Sequence, residues 1–160
     1  MSLIYGKDGF KKLQSGYETQ VNDSLRRSFA VASSETAGIL PGDLLLTSSA
    51  PQVYTRAAGA LQGTQKVAGI ALATNVLLDV TFPQSTTEVP FRPGTRGVSL
   101  IRGSIAVPLT GNAPTEGAAV HYDYTARAFT GTEGSTIALP GFRFTGKVEG
   151  NVAEVFVQYI

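Results

Sequence analysis

The chain has 160 residues, no cysteine, and 13 basic against 12 acidic side chains, which gives a formal charge of +1. This composition excludes thiolate metal centres and disulfide scaffolds, and it lacks the basic excess of a general nucleic-acid binder. No apolar run is long enough to span a membrane, and the first residues lack the apolar core of a secretory signal, so we expect neither membrane insertion nor export. The 18 glycines and 8 prolines favour short strands joined by turns.

Residues 1–26 differ in composition from the rest of the chain and are predicted to form an extended N-terminal arm. Their apolar side chains are spaced out, and three glycines interrupt any long helix. Aromatic side chains on an arm need a surface to pack on, so we expect docking on another chain; folding back on its own domain and disorder are the alternatives. The candidate partner-binding residues of the arm are Tyr5, Phe10, Lys11, Lys12 and Tyr17.

From residue 27 onward, turn residues recur roughly every 8–12 positions, a spacing typical of an all-β sandwich or barrel. The sequence therefore predicts one β domain over residues 27–160, a compact barrel or sandwich of short antiparallel strands. The segment 76–80 fits either a strand or a short helix. In chain order the predicted strands lie in RSFAVAS, ILPGDLLLTSS, QVYTRA, KVAGIALAT, NVLLDVTF, TEVPFRPGTRGVSLIRG, SIAVPLT, AAVHYD, GFRFTGKV and NVAEVFVQYI.

The C-terminal segment has the clearest strand pattern. Ala153, Val155, Val157 and Tyr159 alternate with more polar positions, as expected of a half-buried strand. The preceding Gly150-Asn151 is typical of a hairpin turn. We therefore expect the C-terminus to belong to the core.

The stretch from Arg102 to Tyr124, RGSIAVPLTGNAPTEGAAVHYDY, is predicted to form two strands around a polar turn. Proline cannot donate a ladder hydrogen bond, so Pro108 marks an edge strand or a bulge. Alternation places Ile105, Val107 and Leu109 inward, and Ser104, Ala106, Pro108 and Thr110 outward.

The second of these strands carries the only histidine, His121, on its predicted outer face with Asp123. The two could form an acid–base pair or half of a metal site. A metal site needs further ligands, and neither a second histidine nor a G-x-S-x-G motif is present. Phosphate-binding glycine motifs are absent as well. We therefore expect a surface imidazole beside a carboxylate, with no catalytic residue, no metal and no cofactor.

Three arginines follow one another in FRPGTRGVSLIRG, at Arg92, Arg96 and Arg102. They form either a cationic patch that grips an acidic partner or three solvated arginines near a turn. We retain them as candidate partner-binding residues beside those of the arm.

The order of motifs resembles the capsid cement, or head decoration, proteins of tailed bacteriophages. The resemblance rests on VAGIALATN, FRPGTRGVSLIRGSIAVPLTGNAPTEGAAVHYDYTARAFT and ALPGFRFTGKVEGNVAEVFVQYI, and it covers residues 67–160 best. The matching positions are turn glycines and strand residues, namely Gly69, Ile70, Gly94, Gly103, Val107, Gly111, Gly117, Val120, Tyr122, Pro140, Gly141 and Phe144.

This resemblance implies a structural virion protein on the outer surface of the phage head. Such a protein clamps neighbouring major capsid subunits, and many modest contacts add up over the lattice. It also implies a homo-oligomer, for which a trimer is favoured over a dimer. A carbohydrate-binding or adhesion module is the alternative, although the chain has no tryptophan. A trimeric nucleotide hydrolase would need Asp-centred phosphate motifs, which we do not find.

Overall fold

The computed structural model describes residues 13–73 and 91–158, apart from the side chains of residues 20–23. This part of the chain is all-β, as predicted. Its nine strands are β1 (Glu18–Val31), β2 (Leu44–Thr47), β3 (Val53–Arg56), β4 (Val67–Ala71), β5 (Arg96–Pro108), β6 (Ala119–Asp123), β7 (Ala128–Thr130), β8 (Ile137–Glu149) and β9 (Val152–Val157).

Five of the strands form a closed barrel in the order β1-β3-β2-β4-β5, which antiparallel pairing between β1 and β5 completes. At the closure Phe29 lies opposite Gly97. A side chain at position 97 would collide with the Phe29 ring, because its Cβ would lie 2.7 Å from the ring. The barrel interior contains Phe29, Val31, Ile39, Leu45, Tyr54, Ala68, Ala71 and Phe91.

The second half of the sheet continues from β5 through β9, β8 and β6 to β7. A parallel bridge between Leu109 and Phe129 brings β7 back to the end of β5. A second core fills the space between this half and the barrel. The run of three leucines in β2 separates the two cores: Leu45 points into the barrel, and Leu44 and Leu46 point into the second core. A strand that is buried on both faces reads as a continuous apolar run rather than as an alternation.

The C-terminal strand confirms its prediction. Ala153, Val155 and Val157 are fully buried, and β9 lies between β5 and β8. The two-residue turn before it has Gly150 at φ +57°, a backbone region that favours glycine. Glu154, which alternation places on the polar face, is only 3% exposed, and its carboxylate accepts a hydrogen bond from the Thr145 hydroxyl at 2.7 Å. Tyr159 lies outside the described residues.

The strand around Pro108 differs from its prediction in one respect. Ile105 and Val107 are buried as expected, but Ser104 and Ala106 are buried too. Both edges of β5 are paired here: Ala106 faces Glu154 of β9 and exchanges backbone hydrogen bonds with residues 16–17. Hence β5 is a central strand rather than an edge. The predicted irregularity is present as register shifts against β1, and Pro108 is the last residue of β5.

The predicted boundary at residue 26 falls within β1. Residues 18–26 pair with β5, with several residues bulging out between Gln20 and Leu25. This irregularity hides the strand from any period-2 reading of the sequence. All residues of the predicted strand NVLLDVTF lie outside the described part of the chain, as do residues 1–12 of the predicted arm.

Candidate functional site

His121 and Asp123 have separate structural roles. The predicted surface position of His121 is wrong: the residue is only 9% exposed, on a strand that pairs with β7 on one side and with β8 on the other. Its Nδ1 lies 3.5 Å from the Thr136 hydroxyl. Asp123 accepts hydrogen bonds from the backbone N–H groups of Thr125 and Ala126, both at 2.9 Å. The carboxylate therefore orders the β6–β7 turn.

A partly buried ion pair joins the turn before β2 to the turn after β6. The Asp43 carboxylate accepts hydrogen bonds from Arg127 Nε at 2.8 Å and Nη2 at 2.5 Å, and from the Leu40 N–H at 2.7 Å. Arg127 Nη2 also donates to the Gly38 carbonyl at 3.1 Å. The hydrogen bonds to Asp43 raise the pKa of the Arg127 guanidinium, against the opposing effect of burial. The pair holds two distant turns together.

Tyr122 lies beside this ion pair with its hydroxyl buried. Its ring packs edge-on against Phe129, with centroids 4.9 Å apart. The hydroxyl lies near the Leu44 backbone but does not meet the geometry of a hydrogen bond. Burial first, and then the charge of Asp43, raise the pKa of the phenol well above its ordinary value of 10.0. A neutral, inaccessible phenol contributes packing rather than acid–base chemistry.

The other buried carboxylates also face cations. Their pairs are Glu18–Arg26, Glu35–Arg56 and Glu154–Lys147, with N···O distances of 2.5, 3.4 and 3.8 Å. Within residues 13–73 and 91–158, no three His, Asp or Glu side chains come together as ligands for a metal ion. In the same ranges, no helix is long and apolar enough to cross a bilayer.

The three predicted arginines are all exposed but do not share one turn. Arg92 and Arg96 flank the turn that the Thr95 N–H closes onto the Arg92 carbonyl at 3.0 Å. Arg102 lies six residues further along β5, about 20 Å away on an extended strand, opposite Leu25 of β1. The arginines therefore form a pair at one end of β5 and a single cation in its middle.

Of the five candidate partner-binding residues of the arm, the structure describes only Tyr17. It belongs to the β body, because its carbonyl accepts a hydrogen bond from the Ala106 N–H at 3.0 Å. Its side chain is half-buried. Tyr5, Phe10, Lys11 and Lys12 lie outside the described residues.

A groove lies between the loop 57–66 and β8, and the sequence did not predict it. Its volume is about 520 Å³, and Leu61, Ile101 and Phe142 contribute apolar lining. Leu61 is 44% exposed. It is one of three large apolar residues that are exposed among the described residues. One sequence signal existed: Leu61 is the only large apolar residue in the small and polar stretch AAGALQGTQ.

The charged residues described so far are either exposed at the surface or paired in contacts that stabilise the fold. Comparison with family models gives the structural cement protein family of phages (E217 gp24/Pam3 gp6), matched over residues 9–158. The chain belongs to this structural cement protein family. It is therefore a structural protein of the phage virion, located on the capsid, as the resemblance of its motifs predicts.

A search of solved structures gives the same fold. A chain from the capsid of Myoviridae phage XM1 matches with a TM-score of 0.69 at 16% sequence identity, covering 91% of this chain and 90% of that chain. At this identity the likeness concerns the fold. The comparison with curated proteins finds no match. For a cement-family chain, the surfaces that matter are those that contact the shell, and the arginines and the groove are the candidates that the structure describes.

Proposed function

We propose that this chain is a non-enzymatic clamp that binds the outer surface of the assembled head and joins neighbouring major capsid subunits. The observation that carries the proposal is the cement family match over residues 9–158. The structure of the β domain supports this proposal, because its buried carboxylates pair with cations that hold turns and strands in place. A clamp needs a rigid body whose copies each add a modest contact.

We propose two contact regions on this clamp. The first is the N-terminal region, through Tyr5, Phe10, Lys11, Lys12 and Tyr17. The second is the exposed arginine set, Arg92, Arg96 and Arg102. Arginines bind carboxylates with two parallel hydrogen bonds, which suits an acidic patch on a partner surface.

The test is to mix the purified protein with phage heads that lack it, sediment the heads, and count the copies bound per head. We expect saturation at a fixed number, equal to sixty or a multiple of it, because icosahedral symmetry repeats each site sixty times. Absence of binding to heads of every expansion state would overturn the proposal. The copy number also identifies the symmetry axis.

Removing the N-terminal residues tests the first contact region. We expect deletion of residues 2–12 to weaken binding to heads at least tenfold. The deletion stops at residue 12 because residues 16–18 pair with β5, so a longer deletion would also damage the body. The double variants Y5S/F10S and K11Q/K12Q separate apolar packing from charge. Unchanged affinity of the deletion variant would remove this region from the interface.

We further propose that the clamp acts as a small homo-oligomer, with a trimer expected and a dimer as the alternative. Light scattering of the free protein measures its mass, and a copy number in multiples of three per local axis fits the trimer. Sugar binding has less support: Phe156 is the one exposed aromatic side chain among the described residues, too few for a stacking platform.

A further inference from the structure

The groove between the loop 57–66 and β8 has the size and the apolar lining of a binding surface. Its volume of about 520 Å³ is that of a cleft able to take several side chains. Its floor is made by core residues such as Ile101 and Phe142, which are 6% and 2% exposed, and one wall is the exposed side chain of Leu61. The apolar floor is fixed by the core of the protein, so the groove exists before any partner arrives.

The charged residues that line the groove in the described part of the chain all have one sign. Arg27 of β1 and Lys66, just before β4, both line it and both are exposed. Neither forms an ion pair with a described residue, and none of the described residues that line the groove is an Asp or a Glu. By contrast, the cavity beside Leu13 is lined by two glutamates. The groove therefore combines an apolar floor with two cations that form no ion pair within the described part of the chain.

We propose that this groove receives an extended segment of the capsid shell that carries a large apolar side chain beside a carboxylate. The apolar side chain would pack on Leu61 and Phe142, and the carboxylate would lie between Arg27 and Lys66. This inference rests on the proposed function and names the chemistry of its partner.

A two-fold dimer contact fits the groove less well than an acidic partner does. In such a contact the same patch faces itself, so Arg27 and Lys66 would meet the same two cations of the other copy. Like charges placed against each other oppose association. In a trimer a different patch of the neighbouring copy would face the groove, and the oligomeric mass of Leu61→Ser tests that case. An acidic, apolar segment satisfies both features of the groove at once.

The test compares affinities for heads lacking the protein, measured by co-sedimentation. We expect Leu61→Ser to weaken binding at least tenfold. Phe156→Ser is the matched control, because Phe156 is a large apolar side chain of similar exposure, 39% against 44%, that does not line the groove. We expect the control to change affinity less than twofold. Both sites are exposed, so both variants should melt like the parent protein.

The charge is tested in the same loop. Lys66→Gln removes one positive charge from the groove, and Gln62→Glu makes the same change of net charge on the side of the loop that faces a different cavity. We expect Lys66→Gln to weaken binding several-fold and to flatten its salt dependence, and Gln62→Glu to do neither.

The outcomes separate the possible occupants. Equal binding of Leu61→Ser and the parent protein overturns the inference and leaves the proposed function standing. A loss of oligomeric mass in Leu61→Ser, measured by light scattering, assigns the groove to a second copy and also overturns it. If the parent protein binds no head, the proposed function and this inference both fail.

Discussion

At the residue scale, the Asp43–Arg127 pair is the contact with the largest expected effect on stability. The Asp43 side chain is 3% exposed and that of Arg127 is 27% exposed. Asp43→Asn removes the charge but keeps the shape, so it leaves a partly buried cation without its counterion. We expect a loss of about 2–3 kcal/mol in the free energy of unfolding, measured by urea denaturation.

Two further variants complete this test. Glu133→Gln in the exposed loop after β7 is the control and should change stability by less than about 0.5 kcal/mol. The double variant D43N/R127Q should recover part of the loss, because the unpaired cation is gone. Additive losses in the double variant would show that the two side chains are not coupled.

Tyr122 gives a prediction about pH. Burial raises the pKa of its phenol above the ordinary value of 10.0, so the neutral form is favoured in the folded state. Its contribution to stability is complete below pH 10 and is lost as the pH rises above 10, because the unfolded chain then releases the proton first. We expect Tyr122→Phe to lose less stability between pH 10 and 11.5 than the parent protein, measured by thermal melting.

The same variant should be nearly neutral at pH 7. The hydroxyl of Tyr122 does not complete a hydrogen bond, so removing it should change the free energy of unfolding by less than about 1 kcal/mol. Tyr124→Phe, at a half-buried ring two residues away, is the control. A parent-like alkaline loss in Tyr122→Phe would mean that other groups cause it.

The sequence did not reveal these residue contacts, and the reason is distance along the chain. Asp43 and Arg127 are 84 positions apart, and no local pattern marks either as half of a pair. The prediction for His121 was wrong for a related reason: alternation assigns a side chain to a face of the strand, but it does not show whether that face is covered in the fold. Position in the sheet, which only the fold supplies, decides both cases.

At the element scale, one glycine controls the fit between β4 and β5. Gly69 has φ +119°, and a Cβ there would lie 2.5 Å from the Leu100 carbonyl oxygen. That oxygen belongs to the backbone of a central strand and cannot move aside cheaply. We expect Gly69→Ala to lower the free energy of unfolding by about 3 kcal/mol or more.

Gly63 offers a matched control for this substitution. It also has a positive φ, +57°, but a Cβ there would meet nothing within 4 Å. Gly63→Ala should therefore cost only the backbone strain, about 1 kcal/mol. Equal losses at positions 63 and 69, measured by urea denaturation, would mean that backbone conformation alone explains both.

The elements that the sequence predicted well are those with one buried face or a marked turn. β9 follows its alternation, and the turn at Gly94 lies where the Pro-Gly pair predicts it. The first half of β1, residues 18–26, was not predicted, because the bulge between Gln20 and Leu25 interrupts the period-2 pattern. Its second half lies in the predicted strand RSFAVAS. The groove was not predicted because its walls come from six separate strands and one loop.

At the scale of the whole molecule, the order of turn glycines and strands predicted the family and the fold class. It did not predict that the barrel closes between β1 and β5. Closure pairs β1 with β5, and the paired residues lie 66 to 87 positions apart along the chain. Such pairing depends on which strand edges remain free after local hairpins form. The consequence is that β5 belongs to both halves of the molecule and that β9 connects it to β8.

The position of β9 between β5 and β8 gives the last prediction. Deleting residues 156–160 removes Val157, which is fully buried and pairs with Gly103 and Phe142. We expect the truncated chain to lose cooperative thermal unfolding, measured by circular dichroism.

Two point variants keep the full length of the chain and separate the loss of core contacts from the loss of residues. Val155→Asp buries an unpaired charge and should unfold the chain as well, whereas Phe156→Ser, at an exposed position, should cost no more than about 1 kcal/mol. A truncated chain that melts like the intact one would mean that the two halves hold together without the end of β9.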